Sequence, residues 1–243
     1  MTDSLIMPLP TITTPTHELT LPSTGKTVKY RPFLVKEEKI LILALESGNL
    51  SDITRAIKDV LKNCIMTRGI KVDQLPTFDI EYLFLNIRAK SVGESVDIIV
   101  TCPDDKVTEV RTKIYIDEIE VKKDPNHTTD IKIDDTYTLR MKYPSLEQFV
   151  SENFNFKGDT DDTFALVAAC IDMVFSEDEA WSASDCTKKE LITFIEQFNS
   201  SQFREIEKFF DTMPKLSHTV EVENPNTGKK SEVVLEGLSS FFA

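Results

Sequence analysis

The sequence predicts an α+β fold, with two helical blocks and with antiparallel β-hairpins between them and at both ends. Three observations support this class. Apolar residues recur every three or four positions in residues 35–92 and again in residues 145–212, which is the spacing of amphipathic helices. In most of the remaining chain apolar and polar residues alternate, as they do in half-buried strands. Turn-forming Gly, Pro, Asn and Asp residues separate the two patterns.

The order of these patterns divides the chain into three predicted parts. Residues 1–17 are rich in Thr and Pro and predict an extended arm. Residues 18–143 predict an N-terminal hairpin, three helices and further antiparallel hairpins. Residues 144–243 predict a helical block followed by a C-terminal hairpin. The first residues lack the basic region and the long apolar run of a secretory signal, so we expect no signal peptide.

The first hairpin and the first helix open the second part. Alternation from Glu18 to Phe33, around a turn at Pro22–Gly25, predicts the hairpin. Residues 35–47 predict a helix that ends at Gly48. This helix has a broad apolar face, which consists of Ile40, Leu41, Leu43, Ala44 and Leu45.

Two more helices and two strand pairs complete the second part. Ser51 is the predicted cap of the second helix, and Asp79 opens the third, whose apolar side faces inward. Strands are predicted at Ser95–Thr101 and Val107–Ile116, and Ile119–Val121 extends the second of them. Another strand pair flanks a turn at residues 134–135.

The third part predicts four helices and a hairpin. A short helix begins at Ser145, and a longer one spans Asp161–Phe175. The next spans Thr187–Phe198 and opens with a capping box, and the last spans Ser201–Thr212. The hairpin strands, Ser217–Val222 and Ser231–Leu235, flank a turn at residues 224–228.

Composition excludes several classes of function. The 243 residues include 28 Lys and Arg against 41 Asp and Glu, a net charge of −13. Phosphate backbones and anionic membranes attract cationic proteins, so we expect no nucleic acid and no membrane as partner. The longest apolar run, Phe164–Phe175, is shorter than the roughly 20 residues of a membrane helix and is broken by Asp172.

The residues that usually carry catalysis are scattered. Cys64, Cys102, Cys170 and Cys186 form no C-x-x-C pair, which is typical of a reducing compartment without disulfides. His17, His127 and His218 each lack the neighbours of a catalytic triad.

Other motifs for phosphate or metal are incomplete. Gly25-Lys26-Thr27 lacks the upstream glycine of a phosphate-binding loop. The acidic run 159–162 lacks the spacing of a calcium loop, and Cys102 offers zinc a single sulfur. The sequence therefore predicts no catalytic residue, no cofactor, no metal site and no small-molecule substrate. We expect a protein that is not an enzyme.

Four residues are candidates for binding a partner. Trp181 lies in an acidic loop between helices, where it either anchors a partner or covers its own fold. Phe241 and Phe242 either dock on the protein's own core or enter a partner's pocket. Arg88 lies two helical turns from Glu81, where it either ties the third helix to the next hairpin or faces solvent.

Three segments resemble a known family. They are Tyr30–Ser47, Asn63-Cys64 at the end of the second helix, and Leu75–Glu94. Together they are similar to the baseplate proteins of T-even-like tailed bacteriophages, a family that includes hub proteins and hub assembly factors. The segment Gly237–Phe242 is also similar. The likeness covers about residues 18–122 well and the rest loosely.

The resemblance implies a role in building the central hub of a contractile tail, in the cytoplasm of the infected bacterium. Its partners would be other baseplate hub proteins. Some relatives carry Cys pairs at the hairpin tips. Here Asp105 and the turn at residues 224–228 depart from that pattern, which argues against an inherited metal site.

Three hypotheses of function follow. The first is an assembly factor, or chaperone, of the baseplate hub that acts by protein–protein contact alone. The second is a stoichiometric subunit of the hub, located in the virion baseplate. The third and most distant is a metal-dependent hydrolase that uses Asp161, Asp162 or His127.

Overall fold

The computed structural model describes residues 12–146, 148, 160–237 and 240. Within these residues the chain forms six α-helices and eleven β-strands, and the strands lie in four small antiparallel sheets. The predicted α+β class is therefore confirmed. No helix in the described ranges combines the length and the apolar character needed to cross a membrane.

The chain up to residue 141 contains three helices and seven strands. In order they are β1 (His17–Thr20), β2 (Thr27–Tyr30), α1 (Val35–Ser47), α2 (Leu50–Cys64), α3 (Thr77–Val92), β3 (Ser95–Thr101), β4 (Glu109–Tyr115), β5 (Glu120–Lys122), β6 (Asp130–Lys132) and β7 (Thr138–Met141).

The chain from residue 160 adds three helices and four strands. They are α4 (Thr160–Ala169), β8 (Ile171–Phe175), β9 (Ala180–Ser182), α5 (Lys188–Ile195), α6 (Ser200–Thr212), β10 (Lys215–Glu223) and β11 (Lys230–Glu236). The four sheets are β1–β2, β3–β4, β11–β10–β5 and β6–β7–β8–β9.

One predicted helix is wrong in its second half. Residues 161–175 were expected to form one helix, but α4 ends at Ala169 and β8 begins at Ile171. Apolar residues in this stretch fit the spacing of a helix and of a strand equally well. Tertiary pairing decides between them, because β8 lies antiparallel between β7 and β9.

Three smaller expectations also need correction. The cap of α2 is Asn49, whose side chain accepts a hydrogen bond from the Ser51 backbone N–H at 2.8 Å. Helix α3 begins at Thr77 rather than at Asp79. Strand β5 does not extend β4, because it pairs with β10 across almost 100 residues of sequence.

Some predictions fall partly or wholly on residues outside the described ranges. The helix predicted from Ser145 lies mostly outside the described ranges, but its residues 146 and 148 are described and are helical. Most of the predicted arm and both Phe241 and Phe242 lie outside the described residues.

The buried side chains form three hydrophobic clusters. The N-terminal cluster joins the β1–β2 hairpin to α2 and to one side of α3. The central cluster joins another side of α3, through Leu85 and Ala89, to β3, β4 and β10. The C-terminal cluster joins β6, β7 and β8 to α4, α5 and α6. Helix α3 therefore contributes to two clusters, and the last hairpin packs with strands of the first half of the chain.

Candidate protein-binding surfaces

Helix α1 has its apolar side chains on the solvent side. An amphipathic helix of a globular protein ordinarily buries its apolar face. In α1 the buried residues are Glu37 and Ala44. The exposed apolar residues, with their exposed fractions, are Val35 (80%), Ile40 (40%), Ile42 (48%), Leu43 (55%) and Leu45 (63%). The apolar face predicted from the sequence therefore exists, but most of it contacts no part of the described protein closely enough to be buried.

These exposed side chains form two neighbouring stripes. Val35, Ile42 and Leu45 lie seven and three residues apart, so they share one side of the helix. Ile40 and Leu43 lie three residues apart and form the second stripe. The helix has 13 residues, which at 1.5 Å per residue gives about 20 Å of length. The two stripes, with exposed charged residues such as Lys39 between them, make an elongated and largely apolar surface, which we call the α1 surface.

A buried carboxylate holds α1 on the protein. The Glu37 side chain is 1% exposed, and its Oε1 accepts a hydrogen bond from Arg31 Nη2 at 2.9 Å. Its Oε2 accepts another from the Leu34 backbone N–H at 2.8 Å, which satisfies a donor at the start of the helix. Arg31 also donates to the Pro32 carbonyl at 2.9 Å. This polar contact holds the inner side of the helix on the protein together with the buried Ala44 and with Leu41, which packs against the N-terminal cluster.

The charge of Glu37 is stabilised in this setting. Burial alone raises the pKa of a carboxyl, but the hydrogen bonds from Arg31 and Leu34 outweigh burial and hold the pKa of Glu37 below its ordinary value. The ion pair is therefore formed at neutral pH.

Trp181 is not in the acidic loop between helices that the sequence predicts, because it lies on β9, the edge strand of the four-stranded sheet. It pairs with Val174 of β8 and its side chain is 42% exposed. Its ring lies 6.0 Å from that of Tyr137, which is 40% exposed. The two rings form an exposed aromatic pair beside a strand edge, which is a composition typical of contact surfaces.

The structure does not bring Arg88 into either of these surfaces. Arg88 lies within α3 and is partly buried, and burial lowers the pKa of its guanidinium. This position argues against an arginine that simply faces solvent. Among the sequence candidates, Trp181 is therefore the one that the structure describes with an exposed side chain. The sequence signal that was left unused is Glu37, which lies in the first turn of α1 six residues after Arg31.

The tips of two hairpins meet through side-chain hydrogen bonds. Asn224, which is fully buried, donates from Nδ2 to Asp104 Oδ1 and Asp105 Oδ2, both at 2.9 Å. Thr227 Oγ1 donates to Asp104 Oδ2 at 2.6 Å. Hydrogen bonds from Thr108, from the Val107 backbone N–H and from Asn224 hold the pKa of Asp105 far below its usual range. These contacts join the β3–β4 turn to the β10–β11 turn.

The donor set at these tips does not suit zinc. A structural zinc site uses four nitrogen or sulfur ligands, and Cys102 supplies one sulfur here. Burial, together with the charges of Asp104 and Asp105, raises the pKa of the Cys102 thiol, which disfavours the thiolate that a metal binds. Across the described residues, no three His, Cys, Asp or Glu side chains are grouped to hold a metal ion.

His127 is held by a hydrogen bond at each of its two ring nitrogens. Thr212 Oγ1 donates to the Lys208 carbonyl, so it accepts from His127 Nδ1 at 2.9 Å. His127 Nε2 then accepts from the Tyr143 hydroxyl at 2.9 Å, and the two rings stack. Burial lowers the pKa of His127. Both ring nitrogens therefore have hydroxyl partners within the fold, and neither bonds the carboxylate that orients the His of a catalytic triad.

Comparison with known proteins agrees with the family resemblance seen in the sequence. A family model described as T4 bacteriophage base plate protein matches residues 14–243. No curated protein and no solved structure matches the chain. The family match covers nearly the whole sequence, including the hairpins, the helices and the α1 surface. The chain therefore belongs to the T4 bacteriophage base plate protein family.

Proposed function

We propose that this protein is an assembly factor, or chaperone, of the baseplate hub of a contractile tail. It acts by protein–protein contact, without covalent chemistry, in the cytoplasm of the infected bacterium. The observation that carries the proposal is the α1 surface: a helix anchored by a buried Glu37 that keeps five apolar side chains accessible. Exposed apolar surfaces of this kind are typical of sites that bind another protein.

The occupant of the α1 surface is an apolar patch on another baseplate protein. Membership of a baseplate family supplies the class of partner. A second copy of this chain fits less well, because two molecules that each carry a net charge of −13 repel each other. A less acidic hub protein is repelled less strongly. Nucleic acid, a membrane and a small-molecule substrate are not part of the proposal.

The size of the surface favours a reversible contact. A single helix of about 20 Å covers less area than the roughly 800 Å² per partner of a standard stable interface. Such a contact suits a factor that binds a hub protein and later leaves it. The exposed Trp181–Tyr137 pair offers a second contact for the same class of partner.

A stoichiometric hub subunit is the second candidate. The same α1 surface suits a permanent contact if neighbouring proteins bury more of the molecule. A hydrolase that uses His127 is disfavoured, because its ring nitrogens bond the Thr212 and Tyr143 hydroxyls and neither bonds an orienting carboxylate.

The α1 surface is tested by a charge placed on it. Tagged wild-type protein and the Ile42→Asp/Leu45→Asp variant are purified from infected cells, and co-purifying proteins are identified by mass spectrometry. We expect hub proteins with the wild type and their loss with the variant. Thermal unfolding should be nearly unchanged, because both side chains are about half exposed or more.

Val234→Asp is the matched control. Val234 is 56% exposed on β11, so one negative charge, instead of two, enters a comparably exposed apolar position elsewhere. This variant should retain the hub proteins. Recovery of the same proteins with the α1 variant would overturn the proposal.

Mass spectrometry of purified virions separates the two candidates: absence of the protein supports the assembly factor, and a fixed copy number supports the subunit.

A further inference from the structure

A small apolar cleft lies where α3, the end of α6 and the last hairpin meet. Its volume is about 250 Å³. Its buried lining residues are Thr77, Phe78, Pro144, Met213 and Pro214, and Tyr143 is partly exposed. Three charged residues, Glu81, Lys215 and Glu236, also line it. The Phe78 and Tyr143 rings pack edge to face with their centroids 5.1 Å apart. The cleft therefore presents aromatic and apolar atoms to whatever enters it.

The volume of the cleft limits the size of the group that can bind in it. Pockets for drug-sized ligands and cofactors begin at about 300 Å³. An apolar cavity of about 150 Å³ is large enough for one benzene ring. The cleft falls between these values, so it suits a single aromatic side chain better than a cofactor. Edge-to-face and offset contacts with Phe78 and Tyr143 would favour an aromatic ring over an aliphatic one.

The chain turns at the margin of this cleft. Gly237 lines it with a φ of +71°, a left-handed conformation that glycine adopts without steric cost. The Gly237 N–H donates to the Leu216 carbonyl at 2.9 Å. Ser240 donates two hydrogen bonds to this turn. Its backbone N–H donates to the Gly237 carbonyl at 3.2 Å, and its Oγ donates to the Glu236 carbonyl at 2.7 Å. Residue 240 is thus tied to two residues of the cleft margin.

We propose that the cleft binds an aromatic ring of this chain's own Phe241–Phe242 pair. These residues follow Ser240 directly, and two residues of extended chain span about 7 Å, so either ring is within reach of the lining. The contact links α3 to α6 and β11. Of the two placements that the sequence leaves open for Phe241 and Phe242, the proposal takes docking on the protein's own core and not entry into a partner's pocket. It goes beyond the proposed function, because it requires no partner.

Nuclear magnetic resonance of the isolated protein tests the contact. The methionine methyl groups are labelled with ¹³C, and the Met213 signal is assigned with a Met213→Leu variant. We expect nuclear Overhauser contacts between the Met213 methyl and the ring protons of Phe241 or Phe242 in the wild type. This measurement needs no destabilised variant. Absence of such contacts would overturn the proposal.

A Phe241→Ala/Phe242→Ala variant adds a second readout. The Met213 methyl should change its chemical shift, the melting temperature should fall by about 4 °C or more, and toluene should stabilise the variant but not the wild type. Ser239→Ala, in the same segment but without loss of a ring, should change none of these. The double variant should keep hub proteins in the pull-down from infected cells. Loss of hub proteins with an unchanged Met213 signal would show that the rings bind a partner, and it would overturn the proposal. The test of the α1 surface uses other residues, so its result would be unaffected.

Discussion

Arg31 and Glu37 form an ion pair across the start of α1, with Nη2 and Oε1 2.9 Å apart and with the carboxylate almost fully buried. Arg31 follows β2 and Glu37 lies in the first turn of the helix, so the pair fixes the direction in which α1 leaves the hairpin. This contact occupies the inner side of the helix. Five apolar residues of α1 remain on the outer side and are accessible, whereas Ala44 and Leu41 face the protein.

Replacing Glu37 with Gln should lower stability at neutral pH. Gln keeps the shape and can still accept from Leu34, but it loses the charge-assisted bond to Arg31. We expect a loss of about 1.5–3 kcal/mol in the free energy of unfolding at pH 7. Urea denaturation of both proteins measures it.

The effect of Glu37→Gln should depend on pH. The folded-state pKa of Glu37 lies below its ordinary value near 4.5, so the unfolded state binds the proton more readily. The stabilisation is therefore fully present above pH 4.5 and is lost as the pH falls through the folded-state pKa. The difference between wild type and variant should shrink toward pH 3. A difference that stays constant from pH 7 to pH 3 would contradict this account.

Asn224→Ala should destabilise the contact between the two hairpin tips. It leaves Asp104 and Asp105 without the buried amide donor, and a lost buried hydrogen-bonding group costs about 1–3 kcal/mol. Asn226→Ala is the matched control in the same turn. Asn226 is exposed and donates one side-chain bond, to Thr108 Oγ1 at 2.9 Å, so its removal should cost clearly less. A melting temperature of Asn224→Ala equal to that of the wild type would show that the tip network contributes little.

Asp79 should respond to pH in the opposite direction to Glu37. It is fully buried in the first turn of α3, where it accepts hydrogen bonds from the Ser23 backbone N–H at 3.1 Å and from the Ser23 hydroxyl. Burial raises the pKa of Asp79 despite these bonds. The folded state therefore holds the proton more readily than the unfolded state, and stability falls as the pH rises from about 4 through the raised pKa.

The Asp79→Asn variant tests whether the charge of Asp79 lowers stability as the pH rises. Asn can accept from the Ser23 N–H and donate to the Ser23 hydroxyl, and it carries no buried charge. The variant should gain stability relative to the wild type as the pH rises from 4 to 7, as followed by thermal unfolding. Asp79→Ala, which removes both acceptors, should lose about 1–3 kcal/mol at either pH. A relative loss for Asp79→Asn with rising pH would show that the charge itself is favourable.

Local pattern was enough for several elements. Helix α1 and strand β3 have the predicted bounds, because each carries a clear period and ends at a turn signal such as Gly48. The capping box at Thr187 is also present at the start of α5. These features depend on side chains within a few residues of one another, so the sequence alone contains them.

Other features depend on residues far apart in the chain. The stretch 161–175 divides into α4 and β8 because β7 and β9 offer hydrogen bonds to a strand. Strand β5 finds its partner in β10, and Asn224 meets Asp105 across 119 positions. Periodicity gives the spacing of apolar residues but does not say which neighbour will cover them.

The sequence by itself determined the α+β class, the acidic character, the family and the existence of an apolar face on α1. Only the tertiary structure decided that this face is turned to solvent. The reason is energetic: a buried charge is tolerated where an ion pair and a backbone donor satisfy it, and Arg31 and Leu34 do so for Glu37. With that inner side fixed, the geometry of a helix leaves Ile42, Leu43 and Leu45 on the outside.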